Sequence, residues 1–416
     1  GVVHSWIDEL PKNSKISLYV HIPFCRRLCW FCACRTQGVS NDQPVLQYMQ
    51  TLTLELDLLC RSLPEGTSLS RLHLGGGTPT IVPSEIMSNF LHRLSVSLPF
   101  AEDYEFSAEI DPNEVDNQRL DVLAKWGMNR ASIGVQDFNE SIQKTIGRIQ
   151  TFETTKTVVQ KLHERGISSV NADILYGLPD QSEERLHHSI AQLIQLGPDR
   201  VALYGYAHVP WMAKRQVMIP EDLLPDTRSR FVLAERARDQ FLDAGYEAIG
   251  IDHFAKKSDG LALSQRRRKL RRNFQGYTDD TSQCLIGLGA SAISKFPQGY
   301  AQNNPHTASY QKSIINGTFA TTKGHQFCGD DVLRARIIEM LLCNFEIDLF
   351  ILSREFPNQY ISIRTICAHL NAKFSDVMHW SENKLHILDH AWPLARIIAQ
   401  YIDNYQVDSS AHSAAI

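Results

Sequence analysis

A stretch of β-forming residues followed by a helical stretch recurs from the start of the chain to about residue 250, and this alternation constrains the fold more than any other feature. Residues 17–24, 71–74, 106–110, 130–135, 168–176, 200–207 and 246–252 read as strands. Residues 43–63, 83–96, 115–126, 140 onward, 152–164, 183–195 and 226–244 read as the helices between them. Strand–helix units in series imply a mostly parallel sheet with right-handed crossovers. Periodicity alone does not choose between a closed eight-unit barrel and a six-unit open one with extra strands. The pattern changes after about residue 300, where residues 330–345 and 393–405 read as helices. The expected division is a lead-in at 1–15, an α/β barrel with extension at 16–300, a mostly helical domain at 301–407 and a disordered tail at 408–416.

Composition narrows the class. With 43% hydrophobic and 21% charged residues, the chain buries a sizeable core. A net charge of −4 does not favour a nucleic-acid partner. No apolar run is long enough to span a membrane, and the first twenty residues lack a basic, then apolar, secretion signal.

The unusual residues sit where strands end, the edge that carries ligands in parallel α/β folds. Of the 9 cysteines, Cys25, Cys29, Cys32 and Cys34 fall in one short loop after the first strand. So dense a cluster is a poor disulfide framework and points to a metal site in a reducing compartment. Thiolates bind soft metals, zinc or an iron–sulfur cluster. Cys34 is too close to Cys32 for both to sit comfortably on one tetrahedral ion. Three cysteines on a tight loop suit three irons of a [4Fe–4S] cube better, and a zinc loop is the alternative.

The array Cys25-x3-Cys29-x2-Cys32, with aromatic Phe31 before the third cysteine, resembles the radical S-adenosylmethionine (SAM) superfamily. The run from Tyr19 through Cys34 resembles more narrowly the oxygen-independent coproporphyrinogen III oxidase family. So do Gly75-Gly76-Gly77-Thr78-Pro79, Gly134-Val135-Gln136-Asp137-Phe138, Asp173-Ile174-Leu175-Tyr176-Gly177, Asn273-Phe274-Gln275-Gly276-Tyr277 and Gly289-Ala290-Ser291-Ala292-Ile293. The resemblance runs in order over about residues 16–345. It implies a partial (β/α)6-type radical SAM barrel, extended by extra strands, with a small mostly helical C-terminal domain.

By that resemblance Cys25, Cys29 and Cys32 ligate a [4Fe–4S] cluster, and Cys34 is a non-ligand whose thiol the activity needs. Tyr19 packs near the SAM sulfonium, and the backbone at Phe31 meets the adenine. Gly76, Gly77 and Thr78 hold the methionine end, and Glu109, Gln136, Arg148 and Asp173 bind polar groups of SAM. Ala207 and Ile293 shape the pocket, and Phe274 and Gln275 lie at the substrate. Each has a plainer reading: the glycines as a turn, the acids as helix caps, Arg148 as a surface charge, the aromatics as core.

The run from Arg266 to Arg272 is basic at every position but Leu270. It is either a solvated loop or, through Arg271 and Arg272, a clamp for the four propionates of the family's substrate.

The reaction implied is oxidative decarboxylation of two propionates of coproporphyrinogen III to vinyls. A 5′-deoxyadenosyl radical would take a hydrogen from each β-carbon. A reductant such as flavodoxin, a cytoplasmic location and a monomer are expected with it. The family's N-terminal segment, rich in Tyr, Pro and Arg, is expected to be missing, since only 24 residues precede Cys25 and none resembles it. The runner-up is a related radical SAM haem chaperone or anaerobic haem-degrading methyltransferase. Such relatives usually lack the cysteine at the position of Cys34, which argues against them.

Overall fold

The apolar residues of successive strands fall on one face, and that face packs against helices. The computed structural model describes residues 2–282 and 284–405, so the tail expected at 408–416 lies outside the described residues. Helix α1 (Val2–Asp8) leads to β1 (Lys15–Ile22), and the short parallel pair β2 (Phe24–Cys25) and β3 (Gln37–Gly38) brackets the cysteine loop. Then come α2 (Gln43–Ser62), β4 (Ser68–Gly76), α3 (Ser84–Ser97), β5 (Phe100–Ile110), α4 (Asn117–Lys125) and β6 (Arg130–Gln136). They are followed by α5 (Glu140–Thr145), α6 (Phe152–Glu164), β7 (Ser169–Tyr176), α7 (Glu183–Leu196), β8 (Arg200–Gly205) and α8 (Thr227–Asp243). Side chains of Asp116, Asn139, Thr151, Ser182 and Asp226 accept the first free amides of α4 to α8, which sets where each helix starts.

Beyond β8 lie β9 (Glu247–Ile249), β10 (His253–Ala255), α9 (Gly260–Arg266) and the hairpin β11 (Arg271–Asn273) with β12 (Gly276–Thr278). Strand β13 (Cys284–Leu288) returns to pair in parallel with β1. It is followed by β14 (Ile293–Phe296), β15 (Gly299–Asn303), α10 (Thr307–Ile315) and β16 (Thr321–Gln326). The 12-stranded sheet runs β16-β15-β14-β13-β1-β4-β5-β6-β7-β8-β10-β9. Its parallel centre curves as an open barrel with antiparallel strands at each edge, the extended partial barrel expected.

Residues 301–326, which the sequence pattern groups with the C-terminal domain, supply β16 and most of β15 at this sheet's edge. The second apolar core begins at Leu333, and we propose the domain boundary between Gln326 and Leu333. That region holds α11 (Asp331–Asn344), β17 (Glu346–Asp348), α12 (Leu349–Glu355), α13 (Tyr360–Lys373), β18 (Met378–Ser381), β19 (Lys384–Ile387) and α14 (Ala395–Tyr401). To its helices it adds a 3-stranded antiparallel sheet.

Alternation along the parallel strands makes the site. Leu18, Val20, Leu72, Leu74, Phe106, Ala108, Ile133, Val170 and Ala172 are buried in the main core. Their neighbours Tyr19, His73, Ser107, Glu109, Ser132, Asn171 and Asp173 share the opposite face. Register aligns Tyr19 with His73, His73 with Ser107, Glu109 with Ser132, and Ser132 with Asn171. The lumen is therefore polar. Ion pairs seal its floor: Arg130–Glu105 at 3.1 Å, Arg71–Asp279 at 3.1 Å and the buried Arg200–Asp259 at 2.7 Å.

Candidate active site

The cysteine loop lies over the mouth of this lumen and is held from three sides. Val39 N–H donates to the Cys25 carbonyl at 3.0 Å, and Trp30 N–H donates to the Ile146 carbonyl at 3.0 Å. The segment Lys214–Met218 supplies two further clamps. Arg215 Nη2 donates to the Cys34 carbonyl at 3.0 Å and to Thr36 Oγ1 at 2.9 Å. Gln216 Nε2 donates to the carbonyls of Phe31 at 2.7 Å and Ala207 at 3.0 Å, joining two expected site residues. Neither Arg215 nor Gln216 stands out in the sequence.

The thiols are set apart electrostatically. Burial pushes Cys25 up to about 11 and also raises Cys29. A hydrogen bond from Cys34 brings Cys32 down to about 6 and raises Cys34 in return. The Cys34 amide also donates to Cys32 Sγ at 3.4 Å. Cys34 thus touches Cys32, one of the expected ligands. The other five cysteines lie outside the loop, and three of them, Cys284, Cys343 and Cys367, are buried.

Beside the loop, the glycine run closes against β1 and β2. Gly76 has φ +115°, and a Cβ there would stand 2.7 Å from the His21 ring. A Cβ on Gly77 would stand 2.5 Å from the Phe24 carbonyl oxygen. Only glycine permits this approach. The Gly76 amide donates to Glu109 Oε2 at 3.2 Å, and Thr78 N–H donates to the Phe24 carbonyl at 2.9 Å. Tyr19 stacks on His73 with ring centres 5.7 Å apart, and its hydroxyl lies 2.9 Å from His21 Nδ1. Burial raises Tyr19 and lowers His21 from their ordinary values.

Across the lumen, Asp173 accepts from Asn171 Nδ2 at 2.8 Å, and burial pushes it up to about 6. Gln136 ends β6 with φ +66°, a left-handed conformation that a non-glycine residue holds only when its surroundings compel it. Buried Asp137 stays with that turn, bonded by Ser189 and Gln181 at 2.8 Å each. Phe274, at the tip of the β11–β12 hairpin, meets Tyr19 edge-on at 6.3 Å, and Gln275 is exposed beside it. Ile293 opens β14 and is half-buried.

Arg148 differs from a free carboxylate grip. Its Nη2 donates to the Gly134 carbonyl at 2.9 Å and to Gln150 at 3.0 Å. Its Nη1 reaches Cys29 Sγ at 3.5 Å and lies 3.3 Å from Asp111. Only Nε, buried, has no hydrogen-bond partner. The basic run is also largely spoken for: Arg266 pairs with Glu247, Arg268 with Glu346, Arg271 with Glu339 and Arg272 with Asp252.

Residues 19–193 match the model of the radical SAM superfamily. An oxygen-independent coproporphyrinogen III oxidase of Paracoccus denitrificans is 54% identical over 415 residues, covering 100% of this chain and 92% of that protein. The chain belongs to the oxygen-independent coproporphyrinogen III oxidase family. The family's protein from Bradyrhizobium diazoefficiens is 41% identical over 84% of this chain and 78% of its own. The solved coproporphyrinogen III oxidase of Escherichia coli, a radical SAM enzyme, superposes with a TM-score of 0.93 at 32% identity, over 97% of this chain and 93% of that one. These relatives favour the oxidase over the haem chaperone or methyltransferase.

The residues present fit the family's groups. Among the described residues no set of three His, Cys, Asp or Glu is gathered closely enough to hold a single metal ion. Cys25, Cys29 and Cys32 nonetheless offer three soft thiol donors on one clamped loop, the donor chemistry an iron–sulfur cluster takes. The Gly76–Gly77 cradle and the partnerless Arg148 Nε suit a polar ligand laid against backbone. No helix is long and apolar enough to cross a membrane among the described residues.

Proposed function

We propose that this protein catalyses the oxygen-independent oxidative decarboxylation of two propionate side chains of coproporphyrinogen III to vinyl groups, giving protoporphyrinogen IX. Each propionate loses carbon dioxide, a hydrogen atom and one further electron, the hydrogen going to the 5′-deoxyadenosyl radical and the electron to an external one-electron acceptor. The observation that carries this reading is the four-cysteine loop, clamped over a polar lumen beside Tyr19 and Phe274, in a chain aligned with these oxidases over nearly its whole length.

Cys25, Cys29 and Cys32 hold the [4Fe–4S] cluster. A reduced cluster held there together with SAM would supply one-electron radical chemistry able to take a hydrogen atom from a propionate β-carbon. Gly76, Gly77 and Thr78 admit the methionine end against backbone. Glu109, Gln136, Arg148 and Asp173 meet its polar groups and those of the ribose. The Phe31 backbone, whose carbonyl Gln216 fixes, would meet the adenine, and Ala207 and Ile293 would bound the pocket. Tyr19 excludes water at the sulfonium, and Phe274 and Gln275 cover the substrate side. No acid–base pair has to act in the decarboxylation. Cys34 supports the cluster through Cys32. A protein reductant such as a flavodoxin, a cytoplasmic location and a monomeric state complete the proposal.

Anaerobic reconstitution with iron and sulfide, then incubation with SAM, dithionite and coproporphyrinogen III, tests it. Protoporphyrinogen IX with methionine and 5′-deoxyadenosine is expected. SAM cleavage with methylated or opened haem and no vinyl product would transfer the reading to the haem-handling relatives. Failure to take up iron would refute both.

A further inference from the structure

The barrel mouth carries positive charge that neither the cysteine loop nor the lumen uses. Buried Asp252 lies in the turn between β9 and β10, and its carbonyl accepts from Leu203 N–H at 2.8 Å, which seats it beside the end of β8. Arginines from two separate elements pair with this carboxylate, and a third lies at the neighbouring strand ends. Arg396 of α14 pairs with its Oδ2. Arg272 of β11 stands 3.6 Å from Oδ1 and lies over the Tyr277 ring at 4.5 Å. Its Nη1 is buried with no hydrogen-bond partner. Arg230 of α8 lies against the ends of β7 and β8, its Cζ 3.3 Å from where a Gly177 Cβ would be and its Nη2 3.3 Å from that of Gly205. The Tyr176 hydroxyl stands 2.9 Å from that same Gly205 position, so Arg230 and Tyr176 meet over one glycine. Tyr176 also feels the charges of Arg396 and Asp252, which sets Arg230 close to Arg396.

The cluster faces the reaction centre through a single hairpin. Arg272 stands on β11, while Phe274 at the tip of the same hairpin touches Tyr19. Gly276 follows, and no side chain fills the space there: a Cβ would stand 3.5 Å from His253 Nε2 and 3.9 Å from the Tyr204 hydroxyl. One arginine suffices to tie α14 to the barrel through Asp252. That role leaves Arg230 unexplained, and the Nη1 of Arg272, 3.6 Å from Asp252 Oδ1, still lacks a hydrogen-bond acceptor. Guanidinium forks in excess over carboxylates, half-buried at a mouth, match a carboxylate ligand.

We propose that Arg230, Arg272 and Arg396 bind one propionate of the tetrapyrrole and so hold another toward Tyr19 and Phe274. This rests on the function proposed above. The test is equilibrium binding of coproporphyrin III, the fluorescent oxidised tetra-acid, together with steady-state kinetics of the reconstituted enzyme. Variants are Arg230→Met, Arg396→Met and the charge-keeping Arg396→Lys. Each Met variant is expected to weaken coproporphyrin binding about 10-fold or more, as loss of a charge-assisted hydrogen bond does. The KM for coproporphyrinogen III should rise more than kcat falls, SAM affinity should hold, and Arg396→Lys should restore part of the loss. Arg230 takes no part in the Asp252 tie, so its variant remains decisive if Arg396→Met fails to fold. Unchanged coproporphyrin affinity in Arg230→Met, or an equal loss of SAM affinity, would overturn the site while leaving the function standing. A wild-type protein that neither binds coproporphyrin nor decarboxylates coproporphyrinogen would overturn the function itself.

Discussion

Glu55 carries the sharpest stability prediction. It stands on the buried face of α2, fully enclosed, and braces the turn that leads to Ile293. Its Oε2 accepts from Gly289 N–H at 2.7 Å and from the Tyr310 hydroxyl at 2.7 Å, and its Oε1 accepts from Asn303 Nδ2 at 2.7 Å. Next to it the Tyr48 hydroxyl accepts from Ala290 N–H and donates to the His21 carbonyl, 2.8 Å each. Among the described residues no cation pairs with Glu55, and burial lifts its pKa from 4.5 to about 7. The folded state therefore holds this proton more tightly than the unfolded chain does. That contribution is fully present below pH 4.5, shrinks as pH rises to about 7 and is then gone, a loss of about 3 kcal/mol. Glu55→Gln cannot ionise and escapes that loss. Its amide nitrogen, however, would face the Asn303 donor, and Asn303 cannot turn over without losing its bond to the Gly289 carbonyl at 3.0 Å. That clash costs about 1–3 kcal/mol at every pH. Wild type should thus be the more stable protein at pH 5, and the two should converge or cross by pH 8. Urea midpoints of both proteins at pH 5, 6, 7 and 8, under reducing anaerobic conditions, check this. Curves that move in parallel across the range would refute the assignment of a protonating carboxyl to this site.

Three further outcomes are expected. Cys25→Ala, Cys29→Ala or Cys32→Ala should each abolish stable iron uptake, whereas Cys34→Ala should keep iron and lose turnover, measured by iron content and 5′-deoxyadenosine release. Gly77→Ala should weaken SAM binding about 10-fold or more, measured by equilibrium dialysis, because a Cβ 2.5 Å from the Phe24 carbonyl displaces backbone rather than a flexible side chain. Arg271→Ala should leave the coproporphyrinogen KM within about twofold, since its Nη1 is already engaged by Glu339 at 2.8 Å.

Local pattern carried most of the barrel. Period-2 stretches and caps such as Asp116 and Ser182 are written in neighbouring residues, so the strand–helix units are legible. Strand pairing is not: β13 lies beside β1 although Ile16 and Cys284 are far apart in the chain, and periodicity contains no partner information. The same limit explains the basic run. The sequence displays its arginines side by side, but the acids that engage them, Glu247, Asp252, Glu339 and Glu346, come from elsewhere in the chain. Arg148 has the residue type that grips a carboxylate, yet its terminal nitrogens are used by Gly134, Gln150, Asp111 and Cys29, contacts no local rule foretells. Glu55 was open to a closer reading. An acid amid Tyr48, Leu52, Leu56 and Leu59 on one helical face is a buried polar group that demands partners.

The polar lumen has a structural cost that locates the function. Barrels of this kind reach high stability by filling the interior with branched apolar side chains. Here that interior holds Tyr19, His73, Glu109, Asn171 and Asp173 instead, and Asp173 is lifted to about 6 by its own burial. Such a lining does not stabilise the fold. Stability comes from outside the lumen, from the apolar face packed on the helices and from the paired charges that seal the floor. A fold that lines its strand ends with hydrogen-bonding groups in place of apolar ones suits a ligand rich in polar atoms. The hydrogen-bonding wall lies beside the cysteine loop, which accords with the proposal that the ligand's reactive end meets Tyr19 and the substrate side lies at Phe274.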